Sequence, residues 1–492
     1  MIKPKKAIDI ISPQEIEPQK KWRLKLDKNE NIYGCPNSVL SAIKNTCNED
    51  ITFYPNYEKL LKKTSLKYNL NKDNILFSNG TNEGLKNIFE TFLEENEEIL
   101  TFKPTSLEEI LKNNFYNFNI RLIDYEKKFI FDEIKLKENI EQNTKIIYLE
   151  TPNNPTGEII RASNIEILLK EFKNILFVVN CSYSAYSNSI TFEDYVDLLS
   201  KYENIVLIKS YSNDFAIAGL RLTLLLADCS IIANLKKTST PYNINSIALN
   251  CALMLLNDEK RIEEIKELNN KAKELFENIL QENNITFYKS EANFILCDFK
   301  NYCDFYYEKF KKQSVITKKY ANKTTLENHL RITIPTIGGV KFINELLIKK
   351  DVLIFDLNNV ILNFEKLLIS KERIESLSKK YDLIVYSDDN SIKKLKEYEI
   401  EEFFYSINST KEIEFDLILK KTPHKTIRFF SANVNNIIQA NLAQIESIGI
   451  IPSISNHQTM INNYRHLGIN YIMDEINNIE NFLNPQIEMP LE

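Results

Sequence analysis

From about residue 73, short apolar runs alternate along the chain with longer polar stretches in which apolar residues recur every three or four positions. The apolar runs predict strands at 75–77, 98–102, 145–149, 175–179, 205–208 and 221–226, and the periodic stretches predict helices at 83–94 and 164–172. This alternation is typical of βαβ units, in which helices cover a mostly parallel sheet. We therefore expect an α/β fold.

The second half of the chain predicts a lobe and then a further domain. A long helical pattern at 246–282 precedes strand-like runs at 294–298 and 329–334, and βα alternation restarts at Val352. We expect one domain at 1–348, with a large part at about 45–245 and a small lobe formed by 20–44 and 246–348. A smaller α/β domain is expected at 349–492. A chain of 492 residues has room for about three such compact units.

Charge and cysteine usage exclude several classes of protein. With 62 Lys and Arg against 68 Asp and Glu the net charge is -6, so no basic field favours nucleic acid or an anionic membrane surface. No apolar run reaches the roughly 18 residues of a membrane span. The seven cysteines are dispersed and form no C-x-x-C pair, which argues against a disulfide framework or structural zinc. We expect a cytoplasmic protein without metal.

Glycine positions are informative because only nine glycines occur, well below the usual share of about 7%. Motifs occur in the order N-E-N-I-Y-G at 29–34, Y-P at 54–55, S-N-G-T-N-E at 78–83, P-N-N-P-T-G at 152–157, A-G-L-R at 218–221, P-Y-N-I-N at 241–245, A-N-F at 292–294 and L-R-I at 330–332. Together they resemble histidinol-phosphate aminotransferases, class I/II aminotransferases of fold type I that use pyridoxal phosphate. The resemblance covers about residues 20–347 and implies a large parallel-sheet domain with a small C-terminal lobe.

A phosphate-binding cup is predicted where Gly80, Thr81 and Asn82 follow a strand and open a helix. Free backbone N–H groups and the helix dipole favour an anion at that point. The resemblance implies that Ser210, Ser212 and Arg221 complete the cup.

The resemblance also implies roles at the other end of the cofactor and across a dimer. Asn154 and Tyr183 match the groups that hydrogen-bond the ring hydroxyl of the cofactor, while Arg331 matches the arginine that holds a substrate carboxylate. Tyr33, in the 29–34 motif, is expected to contact substrate. Tyr54 matches the tyrosine that reaches the cofactor phosphate of the neighbouring subunit, which implies a dimer with shared sites.

The residues that perform the family's chemistry are replaced. Eight residues before Arg221, where the family has the lysine that forms an imine with the cofactor, this chain has Asn213. An amide nitrogen is neither a nucleophile for an aldehyde nor a useful base. Asn180 stands where the family has the aspartate that pairs with the pyridinium nitrogen, and Ser106 stands where an aromatic residue stacks on the ring. Pyridoxal or pyridoxamine phosphate is therefore expected to bind only non-covalently, if at all, and we interpret the three replacements as relaxed selection on catalysis.

In the second domain, D-V-L-I-F-D-L-N-N-V at 351–360 resembles the first motif of haloacid dehalogenase-like hydrolases, with Ser387 and Lys421 matching later ones. In that family one aspartate attacks a phosphoryl group and a second acts as general acid; here they read Asp356 and Asn358. The late acidic motif that holds Mg²⁺ reads S-A-N-V-N-N at 431–436, without a carboxylate. The resemblance implies a Rossmann-like domain, and the 30 residues between Asp356 and Ser387 leave no room for a cap domain. Phosphatase activity and a metal site are not expected.

Three functions remain open. The first is a non-catalytic or regulatory subunit that forms a homodimer, or a heterodimer with a catalytic aminotransferase paralogue. The second is an aminotransferase-type enzyme that holds its cofactor non-covalently and acts on a phosphorylated amino acid or amino alcohol. The third is a protein that binds another phosphorylated metabolite in the inherited cup.

Overall fold

The computed structural model describes residues 21–108, 118–256, 258–321, 324–358, 360–363, 366–387, 389–409, 413–424, 426–451, 460–461, 464, 471–473 and 475–483. The ends of the two predicted domains, 1–20 and 484–492, lie outside the described residues. No helix in the described ranges is long and apolar enough to cross a membrane.

Strands and helices alternate through most of the described chain. The strands are Leu24–Leu26 (β1), Ile75–Ser78 (β2), Glu98–Lys103 (β3), Asn119–Asp124 (β4), Thr144–Glu150 (β5), Leu176–Asn180 (β6), Ile205–Ser210 (β7), Thr223–Ala227 (β8), Thr286–Phe287 (β9), Phe294–Asp298 (β10), Val315–Lys319 (β11), His329–Thr333 (β12), Val352–Asp356 (β13), Leu362–Asn363 (β14), Lys366–Leu367 (β15), Asp382–Ser387 (β16), Ser406–Ser409 (β17), Ile427–Ser431 (β18), Glu446–Ile450 (β19) and Tyr471–Met473 (β20). The α-helices are Asn37–Lys44 (α1), Asn48–Thr52 (α2), Glu58–Tyr68 (α3), Thr81–Phe92 (α4), Glu133–Glu138 (α5), Ala162–Glu171 (α6), Glu193–Val196 (α7), Tyr211–Asp214 (α8), Cys229–Thr238 (α9), Ser246–Leu255 (α10), Glu259–Glu282 (α11), Cys303–Lys312 (α12), Ile337–Leu347 (α13), Lys371–Lys380 (α14), Asp389–Glu397 (α15), Phe415–Lys421 (α16), Val434–Leu442 (α17) and Ile479–Leu483 (α18).

The chain divides into two compact units. The first holds residues up to Phe299 together with Val315–Asn344, and the second holds Lys300–Ser314 and the residues from Glu345 onward. Helix α12 therefore groups with the second unit, whereas the sequence placed residues 300–314 in the small lobe of the first domain.

A seven-stranded sheet forms the centre of the first unit. Its strand order is β2-β8-β7-β6-β5-β3-β4, and every pair is parallel except those that involve β8. Its central strands are buried on both faces. In β6, Phe177 and Val179 join one hydrophobic cluster while Leu176 and Val178 join another. Because side chains alternate between faces of a strand, continuous apolar runs are expected where helices cover both sides.

Two expectations for the first unit differ from the structure. The sequence predicts no strand at 119–124, yet β4 lies there at the edge of the sheet. Its residues are mostly exposed or half-buried, so its sequence lacks the apolar run of a central strand. The predicted helix at 246–282 is two helices, α10 and α11, because Asp258 leaves helical geometry at ψ 48°. Aspartate competes for backbone hydrogen bonds in non-helical conformations, which favours a break at this position.

The small lobe of the first unit contains a five-stranded sheet of order β1-β11-β12-β10-β9. Strand β1 pairs in parallel with β11, so a three-residue segment near the start of the described chain joins strands that follow it by almost 300 residues. Its short length hides it from pattern analysis.

The second unit has a parallel sheet of six strands in the order β17-β16-β13-β18-β19-β20. Numbered from its own first strand this is 3-2-1-4-5-6, the order of a doubly wound Rossmann-type sheet. A short antiparallel hairpin of β14 and β15 follows the first strand. The α/β architecture expected for this part of the chain is confirmed, while its likeness to haloacid dehalogenase-like hydrolases stays a prediction.

Helix α12 is tied to this second sheet by buried polar contacts. Lys309 Nζ lies 3.1 Å from Asp382 Oδ2 at the start of β16, and both side chains are more than nine-tenths buried. The hydroxyl of Tyr405 donates to the carbonyl oxygen of Phe305 at 2.5 Å.

Candidate functional site

A cavity of about 360 Å³, called the cup below, opens at the carboxyl ends of β5, β6 and β7. Ligands of open α/β sheets bind at this edge. The cup is lined by Thr81, Asn82, Ser106, Glu150, Asn154, Asn180, Ser182, Tyr183, Ser210 and Asn213. Most residues singled out from the sequence motifs are therefore brought together in one cavity.

The phosphate end of the cup is built around Gly80. This glycine has φ 84° and caps α4, and a Cβ placed on it would lie 2.8 Å from the guanidinium carbon of Arg221. A side chain would therefore be strained by its backbone and would overlap the guanidinium. Glycine at this position lets Arg221 lie against the start of α4, where the unpaired N–H groups also attract an anion.

Two serines and a threonine add hydroxyl groups to this end. The Ser210 hydroxyl accepts a hydrogen bond from the backbone N–H of Ser212 at 3.2 Å and so caps α8. Thr81 Oγ1 lies 3.3 Å from Thr223 Oγ1. Ser210 and Thr81 line the cup, whereas Ser212 is buried beside it. The hydroxyl groups of Ser210 and Thr81 are suited to donate hydrogen bonds to a phosphate group.

Asn213 occupies the cup at the position where the resemblance places a lysine. Its carbonyl oxygen accepts hydrogen bonds from the hydroxyl of Tyr186 at 2.8 Å and from the amide of Asn31 at 3.0 Å. These contacts hold the backbone while the residue lines the cavity. Of the described residues, no lysine lines the cup.

Lys209, the nearest lysine in sequence, is engaged elsewhere. Its Nζ lies 3.1 Å from Asp214 Oδ2, and it lines a separate cavity of about 450 Å³. Burial is the largest single influence and opposes the charge, but the carboxylates of Asp214 and Glu193 act together against it, and the pKa of Lys209 is raised. The amine is therefore protonated and directed away from the cup.

A buried carboxylate, Glu150, lines the cup, and sequence analysis missed it. Glu150 ends β5 and is the direct partner of Asn180 in the parallel pairing with β6. Its Oε1 accepts from the Ser106 hydroxyl at 2.5 Å and from Asn180 Nδ2 at 3.3 Å. Its Oε2 accepts from the Thr105 hydroxyl and from the Ser106 backbone N–H, each at 3.0 Å. The sequence feature that could have indicated Glu150 is a charged residue at the end of an apolar strand, just before the 152–157 motif.

The electrostatic surroundings of Glu150 disfavour its charge. Burial raises the pKa of Glu150, and hydrogen bonds from Ser106 and Thr105 only partly oppose this effect. Ser106 and Asn180, two of the three replacements interpreted as relaxed selection on catalysis, both contact this one carboxylate.

Tyr183, Asn154 and Arg331 form a chain of contacts at one wall of the cup. Asn154 Nδ2 lies 3.5 Å from the Tyr183 hydroxyl, which also accepts from Asn29 Nδ2 at 3.1 Å. Arg331 Nη1 donates to Asn154 Oδ1 at 2.6 Å, while its buried Nε has no hydrogen-bond partner among the described residues. Burial raises the pKa of Tyr183, so the phenol is neutral and can donate a hydrogen bond.

Six of the predicted site residues do not line the cup, namely Gly80, Ser212, Arg221, Arg331, Tyr33 and Tyr54. Arg221 lies against Gly80 at the start of α4, and Arg331 contacts the lining residue Asn154. Tyr54 is 79% exposed and stacks on Tyr242 with ring centroids 4.6 Å apart. Burial raises the pKa of Tyr33 to about 12, and the backbone N–H of this residue donates to Asn31 Oδ1 at 3.0 Å. The proposed roles of Tyr54 across a dimer and of Tyr33 toward substrate stay predictions.

Asp356 occupies the corresponding edge of the sheet in the second unit. Its Oδ2 accepts from the Ser431 hydroxyl at 2.9 Å and from Asn436 Nδ2 at 3.1 Å, and burial raises its pKa. The structure thus brings the 351–360 and 431–436 motifs together. Asn358 is exposed, and the hydroxyl of Ser387 is buried without a hydrogen-bond partner in the described ranges. Within the described part of the chain, no group of three or more His, Cys, Asp or Glu is placed to hold a metal ion.

Comparison with known proteins identifies the first unit. Residues 23–339 match the family described as aminotransferase class I and II. The chain belongs to this family. Within it, the chain is similar to histidinol-phosphate aminotransferase 2 of Haemophilus influenzae, with 31% identity over 314 residues that cover 63% of this chain and 85% of that protein. It is also 27% identical over 318 residues to the histidinol-phosphate aminotransferase of Bacillus subtilis, covering 64% of this chain and 87% of that protein.

Solved structures support the fold of the same region. The histidinol-phosphate aminotransferase of Clostridium acetobutylicum matches with a TM-score of 0.60 and 22% identity, covering 66% of this chain and 98% of that chain. The enzyme of Sinorhizobium meliloti, solved in complex with pyridoxal-5'-phosphate, matches with a TM-score of 0.60 and 16% identity, covering 67% and 92%. The expected fold-type I aminotransferase architecture is confirmed for this region.

The residues of the cup fit part of pyridoxal phosphate. The start of α4 with Arg221 suits its phosphate, and the pair of Asn154 and Tyr183 suits its ring hydroxyl. Covalent attachment does not fit, because Asn213 offers no nucleophilic amine and Lys209 is paired with Asp214.

Proposed function

We propose that this chain binds a phosphorylated ligand non-covalently in the cup and acts as a non-catalytic, regulatory subunit. The observation that carries the proposal is the placement of Asn213 in the cup together with the pairing of Lys209 with Asp214. An amide cannot exchange an imine with an amino substrate, and Lys209, the lysine nearest to Asn213 in sequence, is paired with the buried side chain of Asp214. Binding groups are thus retained without the nucleophile that transamination requires.

The residues of the cup have distinct binding roles. Arg221 and the N–H groups of α4 hold the phosphate, since guanidinium and helix N-termini both favour phosphate oxygens. Asn154 and Tyr183 orient the body of the ligand through hydrogen bonds. Pyridoxal phosphate, when bound, would supply an aldehyde and an electron-accepting ring, but Asn213 could neither capture that aldehyde nor carry a proton to or from the ligand.

The regulatory role implies assembly with a second subunit. We propose a homodimer, or a heterodimer with a catalytic aminotransferase paralogue, in which Tyr54 reaches the neighbouring cup. Its high exposure and its stacking on the exposed Tyr242 support this role, because two large aromatic rings are held at the surface.

A second candidate function is an aminotransferase-type enzyme that holds pyridoxamine phosphate non-covalently and acts on a phosphorylated amino acid or amino alcohol. Glu150 favours this alternative, since it places a carboxylate with a raised pKa inside the cup, where it is able to take up a proton. The same carboxylate is compatible with a purely binding role.

Ligand analysis and assays with partners distinguish these functions. The native protein would be analysed by mass spectrometry for bound phosphorylated compounds, and then mixed with aminotransferases co-purified from the same cells. Retention of a phosphate ester, no transamination by the chain alone, and a changed rate of a partner would support the regulatory role. Turnover of an amino substrate by the isolated chain with pyridoxamine phosphate would favour the second candidate. A strict homodimer that alters no partner's rate would remove the regulatory proposal.

For the second unit we propose an inactive relative of haloacid dehalogenase-like hydrolases. The strand order and the contacts of Asp356 with Ser431 and Asn436 support this relation. Neutral side chains replace the carboxylates that a magnesium ion prefers. The full chain is expected to leave p-nitrophenyl phosphate intact in the presence of magnesium; hydrolysis lost in Asp356→Asn would contradict this.

A further inference from the structure

We propose that Glu150 recognises a cation in the cup, so that the bound ligand is a phosphate monoester that also carries a protonated nitrogen. The inference rests on the proposed function in one respect, namely that the cup holds a phosphorylated ligand non-covalently. It adds the chemical class of that ligand and a recognition residue outside the motifs of the first unit.

The position of Glu150 is fixed by neutral groups alone. Thr105, Ser106 and Asn180 supply four hydrogen bonds to its two oxygens, and none of them carries a positive charge. Hydrogen bonds orient the carboxylate, but they do not neutralise it.

No lysine or arginine forms an ion pair with Glu150 among the described residues, although this residue is only 4% exposed. Buried charges in proteins are normally paired, because an uncompensated ion loses its hydration without recovering it elsewhere. Burial raises the pKa of Glu150, as expected for a carboxylate whose negative charge is not compensated. A cation that enters the cup would therefore be attracted to this carboxylate.

Because residue 213 is an asparagine and not a lysine, the cation that pairs with Glu150 must come from the ligand. Asn213 leaves the cup without a basic side chain along its lining, while Glu150 gives it one acidic side chain. Arg221 lies against Gly80 at the start of α4. A molecule that carries both a phosphate and a protonated nitrogen matches these two charged groups.

The size of the cup suits a small molecule of this kind. Its volume of about 360 Å³ lies near the lower limit of ordinary ligand sites, and Thr81, Ser210, Asn180 and Glu150 line the same cavity. The nitrogen could belong to a pyridinium ring, as in pyridoxamine phosphate, or to an alkyl ammonium, as in phosphoethanolamine. Both share the chemistry that Glu150 would recognise.

Calorimetry with four probes tests the inference on the full chain. Pyridoxamine phosphate, phosphoethanolamine, glycerol 3-phosphate and inorganic phosphate would be titrated into the wild type, Glu150→Gln and Glu150→Asp. The matched control is Glu158→Gln, because Glu158 is a half-buried carboxylate near the cup that does not line it.

In the wild type, at least one nitrogen-bearing ester should bind about tenfold or more tightly than glycerol 3-phosphate, the range expected for a charge-assisted contact. Glu150→Gln should lose this preference yet keep its affinity for glycerol 3-phosphate, while Glu150→Asp and Glu158→Gln should retain the preference. The identity of the preferred ester tells a pyridinium from an alkyl ammonium, and ¹⁵N resonances of bound pyridoxamine phosphate would report whether its ring nitrogen is protonated.

Two results would overturn the inference by different routes. Equal affinity of the wild type for all phosphate esters, or a preference that persists in Glu150→Gln, would refute the role of Glu150 and leave the phosphate cup intact. Failure of the wild type to bind any of the four probes would refute the phosphate cup itself and the inference with it.

Discussion

The Nζ of Lys209 lies 3.1 Å from Oδ2 of Asp214, and the two side chains are 10% and 2% exposed. Lys209 lies in β7 and Asp214 is the last residue of α8, so the ion pair joins the end of β7 to the end of the short helix that carries Asn213. The ion pair keeps the amine of Lys209 out of the cup. It also fixes the position of α8, whose residue Asn213 lines the cup. Breaking a buried pair by removing one partner leaves an unpaired charge, which makes reorientation of Lys209 costly.

Imine formation should depend on restoring an amine at residue 213. Asn213→Lys, incubated with pyridoxal phosphate, is expected to gain an imine absorbance band and a borohydride-fixed adduct in its intact mass, because its side chain enters the cup. The wild type should gain neither. A borohydride-stable adduct mapped to Lys209 in the wild type would show that the ion pair with Asp214 does not protect the amine.

The phosphate end should be sensitive to a β-carbon at Gly80. Gly80→Ala is expected to displace the guanidinium of Arg221 and weaken binding of inorganic phosphate or pyridoxamine phosphate about tenfold or more, as for loss of a charge-assisted contact. Gly219→Ala is the matched control, since a Cβ there would meet no atom within 4 Å. Similar affinities of the two variants, measured by calorimetry, would argue against this arrangement.

The raised pKa of Glu150 should make stability depend on pH in a defined direction. Because the folded state holds this proton more tightly than the unfolded state, the ionised form lowers the free energy of unfolding at neutral pH. As pH falls through the raised pKa toward the ordinary carboxyl value, the wild type should gain stability relative to Glu150→Gln. Urea unfolding of both proteins from pH 8 to pH 4.5 measures this difference. A difference that is flat across the range would contradict an uncompensated charge.

The buried pair of Lys309 and Asp382 should stabilise the second unit. Lys309→Met leaves Asp382 unpaired and is expected to cost about 3–5 kcal/mol, which should appear as faster amide hydrogen exchange along β16 in the full chain. Lys379→Met is the control, because Lys379 pairs with Glu375 at an exposed position, where such pairs contribute under about 1 kcal/mol. Equal protection of β16 in the two variants would show that the pair is not needed.

Sequence patterns predicted the central strands well and the edges poorly. Strands β5, β6 and β7 are buried on both faces, so their apolar runs are continuous and easily recognised. Strand β1 has three residues, and β4 is largely exposed, so neither forms such a run. Their place in the sheets depends on pairing partners distant in sequence, which local periodicity does not encode.

In the candidate site too, some residues could be predicted from the sequence and others could not. Gly80, Asn154, Tyr183 and Asn213 were predicted because they lie in or near short motifs that resemble those of the aminotransferase family. The structure places all four in or beside the cup. Glu150 carries no motif of its own, and its contact with Asn180 follows from the register between β5 and β6. Two of the three replacements interpreted from the sequence as relaxed selection, Ser106 and Asn180, thus hydrogen-bond one carboxylate.

The close approach of Arg221 to Gly80 also links the histories of two positions that are far apart in the chain. A guanidinium that lies where a β-carbon would be cannot keep its place once residue 80 acquires a side chain, whereas a side chain at residue 80 stays strained by its φ of 84° even without the guanidinium. Descendants of this protein that keep Arg221 should therefore keep glycine at residue 80, whereas loss of Arg221 places no demand on residue 80.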